Sequence, residues 1–174
     1  NYFKVTAYRE GKEKTAEFER GVLIQEHKEI KTVEENGTLI TFVPDDKIFK
    51  NFHFVQEYLD NQFWNYCYLN AGLVMNLNNK RYVSKNGLLD LLQRKTNEDE
   101  IRYPIIHLKG NDIDLAFSHE NDYGEEYYSF VNGQFTTQGG THLAAFREAF
   151  VKTIREFYKK DYDASDIRGS VCTA

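Results

Sequence analysis

The residues best suited to chemistry in this sequence are a glycine pair and the polar residues that follow it. Gly139 and Gly140 precede Thr141 and His142. Glycines before a helix expose backbone amides that can bind an anion. They also serve simply to turn the chain into the helix, and the residues leave both interpretations open. Because no partner accompanies His142 at metal-ligand or nucleophile spacing, the segment predicts binding and not catalysis.

A basic stripe follows the glycine pair. Lys152, Arg155 and Lys159 recur at spacings of three and four residues, which places them on one side of a helix. The stripe is either a solvated helix face or a surface that binds a polyanion. Arg147 stands close to it and beside an apolar residue, so we expect its side chain at the edge of the packed face.

The histidines, acidic residues and cysteines form no pattern that predicts a catalytic group or a metal site. The histidines are scattered, and the acidic pairs Glu34-Glu35 and Asp45-Asp46 stand at predicted turns, where carboxylates usually cap helices or face water. Cys67 and Cys172 match no metal spacing. Free cysteines are typical of a reduced protein, so we expect a cytoplasmic one.

The composition predicts a folded domain with at most local contact to nucleic acid. The 174 residues carry a formal charge of -5, whereas a free-standing nucleic-acid-binding domain is usually strongly basic. Thirteen Phe and twelve Tyr supply large apolar faces, so the core needs no disulfide or metal. No apolar stretch approaches the roughly 20 residues of a membrane span, and we expect no membrane association.

Periodicity predicts an α+β protein. Alternation of apolar and polar residues indicates strands over 2–9, from 15 onward, over 21–33 and over 38–43. Helical spacing follows in a helix that ends at residue 69, with an apolar stripe of Val55, Leu59, Phe63 and Tyr66. A hairpin over 73–83 and a short helix capped by Asn86 come next.

Two further elements are predicted towards the end of the chain. Strands 112–117 and 126–131 are expected to pair with each other around a turn. A long helix capped by Thr141 then runs to about residue 160. Its apolar stripe consists of Leu143, Phe146, Phe150, Ile154 and Phe157.

Four segments resemble the ATPase subunit of bacterial type IIA DNA topoisomerases, known as the B subunit in both DNA gyrase and topoisomerase IV. The strongest, 138–147, is similar to the family's Gly-Gly-Thr-His-x-x-x-Phe block with its long helix. Segment 36–45 is similar to the Gly-Thr strand and the proline that ends it, and 48–72 to the stretch ending in Phe-Leu-Asn-x-Gly. Residues 166–168 are similar to Asp-x-Arg. The segments occur in the family's order and span essentially the whole chain.

The resemblance implies a fold in two parts. Residues 1–44 would be the last strands of a GHKL-type ATP-binding domain, and residues 45–174 a transducer domain that is incomplete at its C-terminal end. In the family the transducer contains a left-handed βαβ crossover, shared with the second domain of a small-subunit ribosomal protein. Both ends of the chain stand in mid-pattern, which we interpret as cuts through a longer protein.

The resemblance also implies an ATP-pocket edge. Thr38 corresponds to a threonine beside the water and aspartate that recognise adenine, Ile40 to an apolar wall of the pocket, and Arg9 to an arginine at its mouth that aminocoumarin inhibitors contact. ATP and Mg²⁺ would bind the full-length enzyme. The magnesium ligand, general base and lid would precede residue 1, and a Gln-Thr-Lys loop would follow residue 174, so we expect the fragment alone to bind neither and to be inactive.

A DNA contact and three partners are implied in the same way. Arg147 corresponds to an arginine that lines the cavity through which transported DNA passes, which favours the polyanion interpretation of the basic stripe. The candidate DNA-contacting residues are therefore Arg147, Lys152 and Arg155. The partners are double-stranded DNA, the topoisomerase's A subunit within a heterotetramer, and a second copy of the B subunit in the ATP-closed gate. The fragment by itself is expected to be a monomer.

Two alternatives remain open from the residues. The chain could belong to another GHKL-class ATPase, such as a mismatch-repair protein, or to an unrelated, non-enzymatic binding module. Two features distinguish between the resembled enzymes: Ala145 stands where many gyrase B subunits have glycine, and residues 130–134 are more similar to topoisomerase IV than to gyrase. Topoisomerase IV is therefore favoured over gyrase.

Overall fold

An antiparallel meander makes up the first of the two units into which the structure divides, Asn1–Val55 and Gln56–Ala174. The structure is a computed structural model and describes all residues from 1 to 174. The strands of the first unit are β1 (Tyr2–Arg9), β2 (Lys12–Glu19), β3 (Val22–Glu26), β4 (Ile30–Lys31) and β5 (Gly37–Val43). Their order is β3-β2-β1-β5, and β4 also pairs with β2.

Local turn geometry shapes this meander. The β1–β2 hairpin turns through Glu10 and Gly11, which both have positive φ, as a two-residue hairpin requires. The single strand predicted over 21–33 is wrong, because it is divided into β3 and β4. The pairing of β2 with β3 shifts at a bulge in which Ile24 of β3 is the extra residue. The His27 ring nitrogen lies 2.8 Å from Glu17 of β2. The backbone amide of His27 still donates to the carbonyl of Thr15 in β2, and residues 27–29 separate β3 from β4.

The second unit interleaves helices with short strands, so the chain is α+β. Its helices are α1 (Gln56–Leu69), α2 (Leu88–Lys95), α3 (Thr141–Tyr158) and α4 (Ala164–Arg168). Its strands are β6 (Val74–Leu77), β7 (Lys80–Val83), β8 (Ile106–Lys109), β9 (Asp114–His119), β10 (Glu126–Tyr127), β11 (Phe130–Val131), β12 (Gln134–Phe135) and β13 (Val171–Thr173). No helix is both long and apolar enough to cross a membrane. The predicted domain boundary at residue 44 stays a prediction, since compactness does not assign residues 45–55 to a domain of the resembled family.

The buried face of α1 differs from the predicted stripe. Cys67 and Tyr68 are its buried residues, whereas Val55 precedes the helix and is 39% exposed. Phe63 does pack as predicted, with its ring 5.3 Å from that of fully buried Tyr82 in β7. The packing against β7 and α2 therefore selects the face of α1 that is buried.

The cap of α2 also differs from the prediction. Gly87, with a φ of 63°, stands at the N-terminal cap position, and no side chain caps the helix. Asn86 instead donates its side-chain amide to Asp90, 2.8 Å away. Asp90 accepts further hydrogen bonds from Ser84 and from two backbone amides, so a residue inside the helix holds the loop before it.

A four-stranded sheet with the order β10-β13-β9-β8 lies at the centre of the second unit. The predicted hairpin between 112–117 and 126–131 is wrong, because β13 lies between β9 and β10. β13 is antiparallel to β9 and parallel to β10, and all three of its residues are buried. A core of Leu88, Leu92, Ala116 and Cys172 joins α2 to this sheet. The chain passes from β10 to its parallel neighbour through α3 and α4, which is a βαβ crossover whose left-handed sense stays a prediction.

The glycine pair before α3 has a clear conformational role. Gly139 and Gly140 have φ values of 71° and 156°, and a Cβ on Gly140 would lie 2.8 Å from the His142 ring. Gly140 stands at the cap position that the sequence assigned to Thr141, and no side chain supplies a cap hydrogen bond. The turn interpretation of the pair is thus confirmed, and the anion-binding interpretation stays a prediction.

The apolar stripe predicted for α3 is confirmed at the centre of the helix and wrong at its C-terminal end. Phe146 and Phe150 stack at 5.6 Å, and Phe150 packs edge-on against Phe117 of β9. Val151, absent from the predicted stripe, is the buried residue of the helix, whereas Phe157 is 77% exposed. In the last turn the Phe157 ring packs only against the adjacent Tyr158 ring, 5.0 Å away, and not against the sheet.

Candidate functional site

The predicted pocket-edge residues share one face of the sheet in the first unit. The register pairs Ala7 with Thr38 and Val5 with Ile40. Because side chains alternate along a strand, Arg9 lies on the same face as Ala7. The structure therefore brings Arg9, Thr38 and Ile40 to one surface, as the sequence alone could not establish.

This face is open and mostly apolar. Ile40 is 55% exposed, and the Arg9 side chain is 84% exposed with an ion pair only to the adjacent Glu10. None of the three residues lines the cavity of about 370 Å³ in this unit. The residues that β1 and β5 place on this face include no carboxylate or amide, so they fit the wall of a pocket and not a magnesium ligand set.

The candidate DNA-contacting residues meet in a groove of the second unit. A groove of about 740 Å³ runs along α3 and α4 and is lined by Arg147, Lys152 and Arg155. Arg168 of α4 lines it as well. Two helices thus bring four cations to one surface, and only three of them belonged to the predicted set.

Each predicted cation has a carboxylate partner. Arg155 lies 3.2 Å from Asp161 and donates to the carbonyl of Tyr162, which joins the end of α3 to the loop that follows. Lys152 lies 3.9 Å from Glu156, and both side chains are about seven-tenths exposed. Exposed pairs of this kind add about 0–1 kcal/mol to stability, so they leave Lys152 available to an external anion.

The strongest contacts in the groove converge on Glu125. Arg147 donates from Nη2 to one carboxylate oxygen over 2.7 Å, and Arg168 donates from Nε to the other over 3.2 Å. The hydroxyl of Tyr127 donates to Glu125 over 2.6 Å, and its ring lies 5.3 Å from the Arg147 guanidinium. We call Glu125, Tyr127, Arg147 and Arg168 the Glu125 cluster.

The contacts within the Glu125 cluster shift the pKa values of Glu125 and Tyr127. Burial by itself would raise the pKa of Glu125, but the hydrogen bonds from Tyr127 and Arg168 and the charge of Arg147 outweigh it and hold that pKa below its ordinary value. Burial, reinforced by the bond to Glu125, raises the pKa of Tyr127. At neutral pH the carboxylate is therefore charged and the phenol keeps its proton.

Most of this cluster was not predicted from the sequence. Arg147 was a predicted DNA-contacting residue, whereas Arg168 was noted only as part of the segment similar to Asp-x-Arg. Glu125 directly precedes β10 and Tyr127 lies in it, within a polar and aromatic run that carries no local signal of a site. Their role depends on α3 and α4 both lying against this run.

The remaining titratable groups form no metal centre. No group of three or more His, Cys, Asp or Glu side chains lies close enough together to hold a metal ion. Cys67 and Cys172 are free and buried. His119 bridges the Tyr103 hydroxyl, 2.5 Å away, and the carbonyl of Ile167, 2.8 Å away, which joins β9 to α4.

Comparison with known proteins gives consistent matches. The sequence profile of the family described as DNA gyrase B matches residues 68–170. The DNA topoisomerase 4 B subunit of Borreliella burgdorferi is 44% identical over 172 residues, which cover 98% of this chain and 28% of the relative. The DNA gyrase B subunit of Helicobacter pylori strain J99 is 31% identical over 94% of this chain and 23% of the relative. The chain thus spans less than a third of these relatives.

Solved structures show the same fold. The 43K ATPase domain of Thermus thermophilus gyrase B, in complex with an aminocoumarin, matches with a TM-score of 0.79 at 23% identity and covers 99% of this chain and 53% of that one. The topoisomerase IV ATP-binding domain of Francisella tularensis matches with a TM-score of 0.77 at 19% identity, over 99% of this chain and 52% of that one.

Proposed function

The chain belongs to the DNA gyrase B family, and we propose that it is part of the ATPase subunit of a bacterial type II topoisomerase of the topoisomerase IV kind. The higher identity to a topoisomerase 4 B subunit than to a gyrase B subunit supports that choice. The family match also argues against the mismatch-repair and unrelated-module alternatives. The full-length protein would be an ATP-dependent isomerase that passes one DNA duplex through another.

The two parts of the chain would have different tasks. Residues 1–44 would complete the ATP-binding domain, with Thr38, Ile40 and Arg9 at the edge of the nucleotide pocket on an open sheet face. ATP and Mg²⁺ would supply the phosphoryl-transfer chemistry when bound, and the ligands for magnesium would come from outside this chain. The chain alone is therefore proposed to be inactive.

Residues 45–174 would act as a transducer. This part would couple nucleotide binding and hydrolysis to the movement of a gate, which is a rigid-body change of a familiar type. Its partners would be the topoisomerase's A subunit, a second copy of the B subunit and the transported DNA, all in the bacterial cytoplasm.

The DNA contact is the part of this proposal that the geometry supports best. The single observation that carries it is the groove in which Arg147, Lys152, Arg155 and Arg168 meet. Cations along a groove bind a phosphate backbone without reading bases, so the contact should depend on salt and not on DNA sequence.

Substitution of Arg147 tests this function. In the full-length protein, Arg147→Ala is expected to reduce the ratio of ATP hydrolysis rates with and without duplex DNA, because it removes a cation from the groove. Glu148→Ala, which truncates an unpaired side chain of the same groove, serves as the control. An unchanged ratio for Arg147→Ala, with wild type stimulated by DNA, would contradict the DNA contact.

A further inference from the structure

The Glu125 cluster holds more hydrogen-bond donors than its carboxylate uses. A guanidinium has about five N–H donors, yet Arg147 and Arg168 each make a single hydrogen bond, in both cases to Glu125. The cluster also contains two positive charges and one negative charge, which leaves one positive charge over. An anion with several acceptor oxygens would satisfy donors that Glu125 leaves unpaired.

The two arginines are accessible from the groove, whereas the carboxylate is not part of its lining. Arg147 and Arg168 line the groove, and Glu125 does not. Their side chains are 41% and 22% exposed, so part of each is accessible to an external ligand. The guanidinium fork matches the oxygens of a phosphate as well as those of a carboxylate.

We propose that Arg147 and Arg168 form a binding site for a phosphate of the DNA backbone, and that Glu125 is the internal counter-ion that competes with the phosphate for them. The proposal rests on the proposed function and deepens it. It adds Arg168 to the contacts with transported DNA, and it makes Glu125 a residue that opposes DNA binding. In the absence of DNA, Glu125 keeps the two arginines together and neutralises one of them.

The counter-ion role predicts opposite effects from the two partners of one ion pair. In the full-length protein, Arg168→Gln should raise the concentration of mixed-sequence linear duplex DNA that half-saturates ATP hydrolysis. Glu125→Gln should lower this half-saturating concentration, because the side chain that competes with the phosphate loses its negative charge. Each phosphate contact contributes about 0.9 to the slope of log affinity against log salt, so a fourfold rise in salt weakens one contact about 3.5-fold. The slope should become shallower by about 0.9 in Arg168→Gln and steeper in Glu125→Gln.

Matched variants separate this role from others. Glu148 lines the same groove without an ion pair, so Glu148→Gln makes the same charge change without releasing an arginine. It should therefore change the half-saturating DNA concentration less than Glu125→Gln does. Arg168→Lys retains the charge and should retain the salt slope. Thermal unfolding of each variant shows whether it is folded.

Each outcome decides between the proposals. If Glu125→Gln and Arg168→Gln both weaken the DNA response, the pair has only a structural role and the inference is wrong. It is also wrong if Glu125→Gln shifts no more than Glu148→Gln. Either result leaves the proposed function standing when wild type and Arg147→Ala differ. A wild-type protein whose ATP hydrolysis does not respond to DNA would refute the function and the inference together.

Discussion

The Asp90 carboxylate holds the loop before α2, and its removal should destabilise the second unit by a measurable amount. It accepts hydrogen bonds from Ser84 Oγ at 2.7 Å, from the backbone amides of Lys85 and Asn86 at 3.0 Å, and from Asn86 Nδ2 at 2.8 Å. Because three of these bonds end on the same oxygen, a single substitution removes them together.

The size of the effect follows from what each donor does afterwards. In Asp90→Ala, Ser84 is only 2% exposed, so its hydroxyl loses its acceptor in a buried place at a cost of about 1–3 kcal/mol. The amides of Lys85 and Asn86 belong to exposed residues and can bind water, at a cost of about 0.5–1.5 kcal/mol each. Together these contributions predict a loss of about 2–6 kcal/mol in the free energy of unfolding.

Asp90→Asn separates the charge from the geometry. Its carbonyl oxygen can take the place of the oxygen that accepts three bonds, while the Asn86 amide rotates to accept from the new NH₂ group. Only the charge is then lost, and we expect about 1 kcal/mol. The pKa of Asp90 is lowered because its hydrogen bonds from Asn86 and Ser84 outweigh the opposing effect of burial. The contribution of the charge is thus present above the ordinary value of about 3.9 and is lost as pH falls through the folded-state value.

Urea unfolding followed by tryptophan fluorescence measures these changes. Trp64 is the single tryptophan and lies in α1, with the Arg94 guanidinium of α2 4.5 Å from its ring, so it reports on the same unit. Asp99→Ala is the control, because that carboxylate is exposed and makes no hydrogen bond or ion pair. A difference of less than about 0.5 kcal/mol between the unfolding free energies of Asp90→Ala and Asp99→Ala would refute this role of Asp90.

Three further predictions concern the core, the thiols and the Glu125 cluster. Leu92 is fully buried in the core, so Leu92→Ala should lower the free energy of unfolding by about 2–5 kcal/mol in the same urea assay; a loss under about 1 kcal/mol would contradict the packing. Burial raises the pKa of Cys172 to about 12 and also raises that of Cys67. A thiol reagent should therefore label neither cysteine at about pH 8 until urea unfolds the chain, and rapid labelling of the folded protein would count against their burial. Because the pKa of Glu125 is lowered in the folded protein, its charge stabilises the fold at pH values above the ordinary carboxyl pKa, and this stabilisation is lost as pH falls through the folded-state pKa. Glu125→Gln lacks this contribution, so its melting temperature should fall less at acid pH than that of the wild type. Identical plots of melting temperature against pH for the two proteins would argue against a charged Glu125.

Local patterns were enough for the longest elements. The sequence placed β1, β5, α1 and α3 within one or two residues of their observed bounds, because side-chain period and turn residues act over a few positions. It failed at β13, a strand of three residues that separates β9 from β10. A strand that short has no readable period. Its parallel pairing joins segments more than forty residues apart, so no local signal opposed the hairpin that was predicted instead.

The same distinction applies to the groove. Helical spacing placed Lys152 and Arg155 along α3 correctly, but it could not show that Arg147 meets Glu125, which is 22 residues away. Arg168 meets the same carboxylate across 43 residues. The sequence therefore predicted a basic stripe, and the structure shows cations that are already paired.

The sequence alone determined the family, the α+β class and the positions of the cations, because motifs and periodicity are properties of neighbouring residues. Only the tertiary structure decided which strand lies beside which and which carboxylate faces each cation. Those relations depend on α3 and α4 both lying against the segment that contains Glu125 and Tyr127. Long-range packing brings these groups together, and nothing in the local order of residues specifies it.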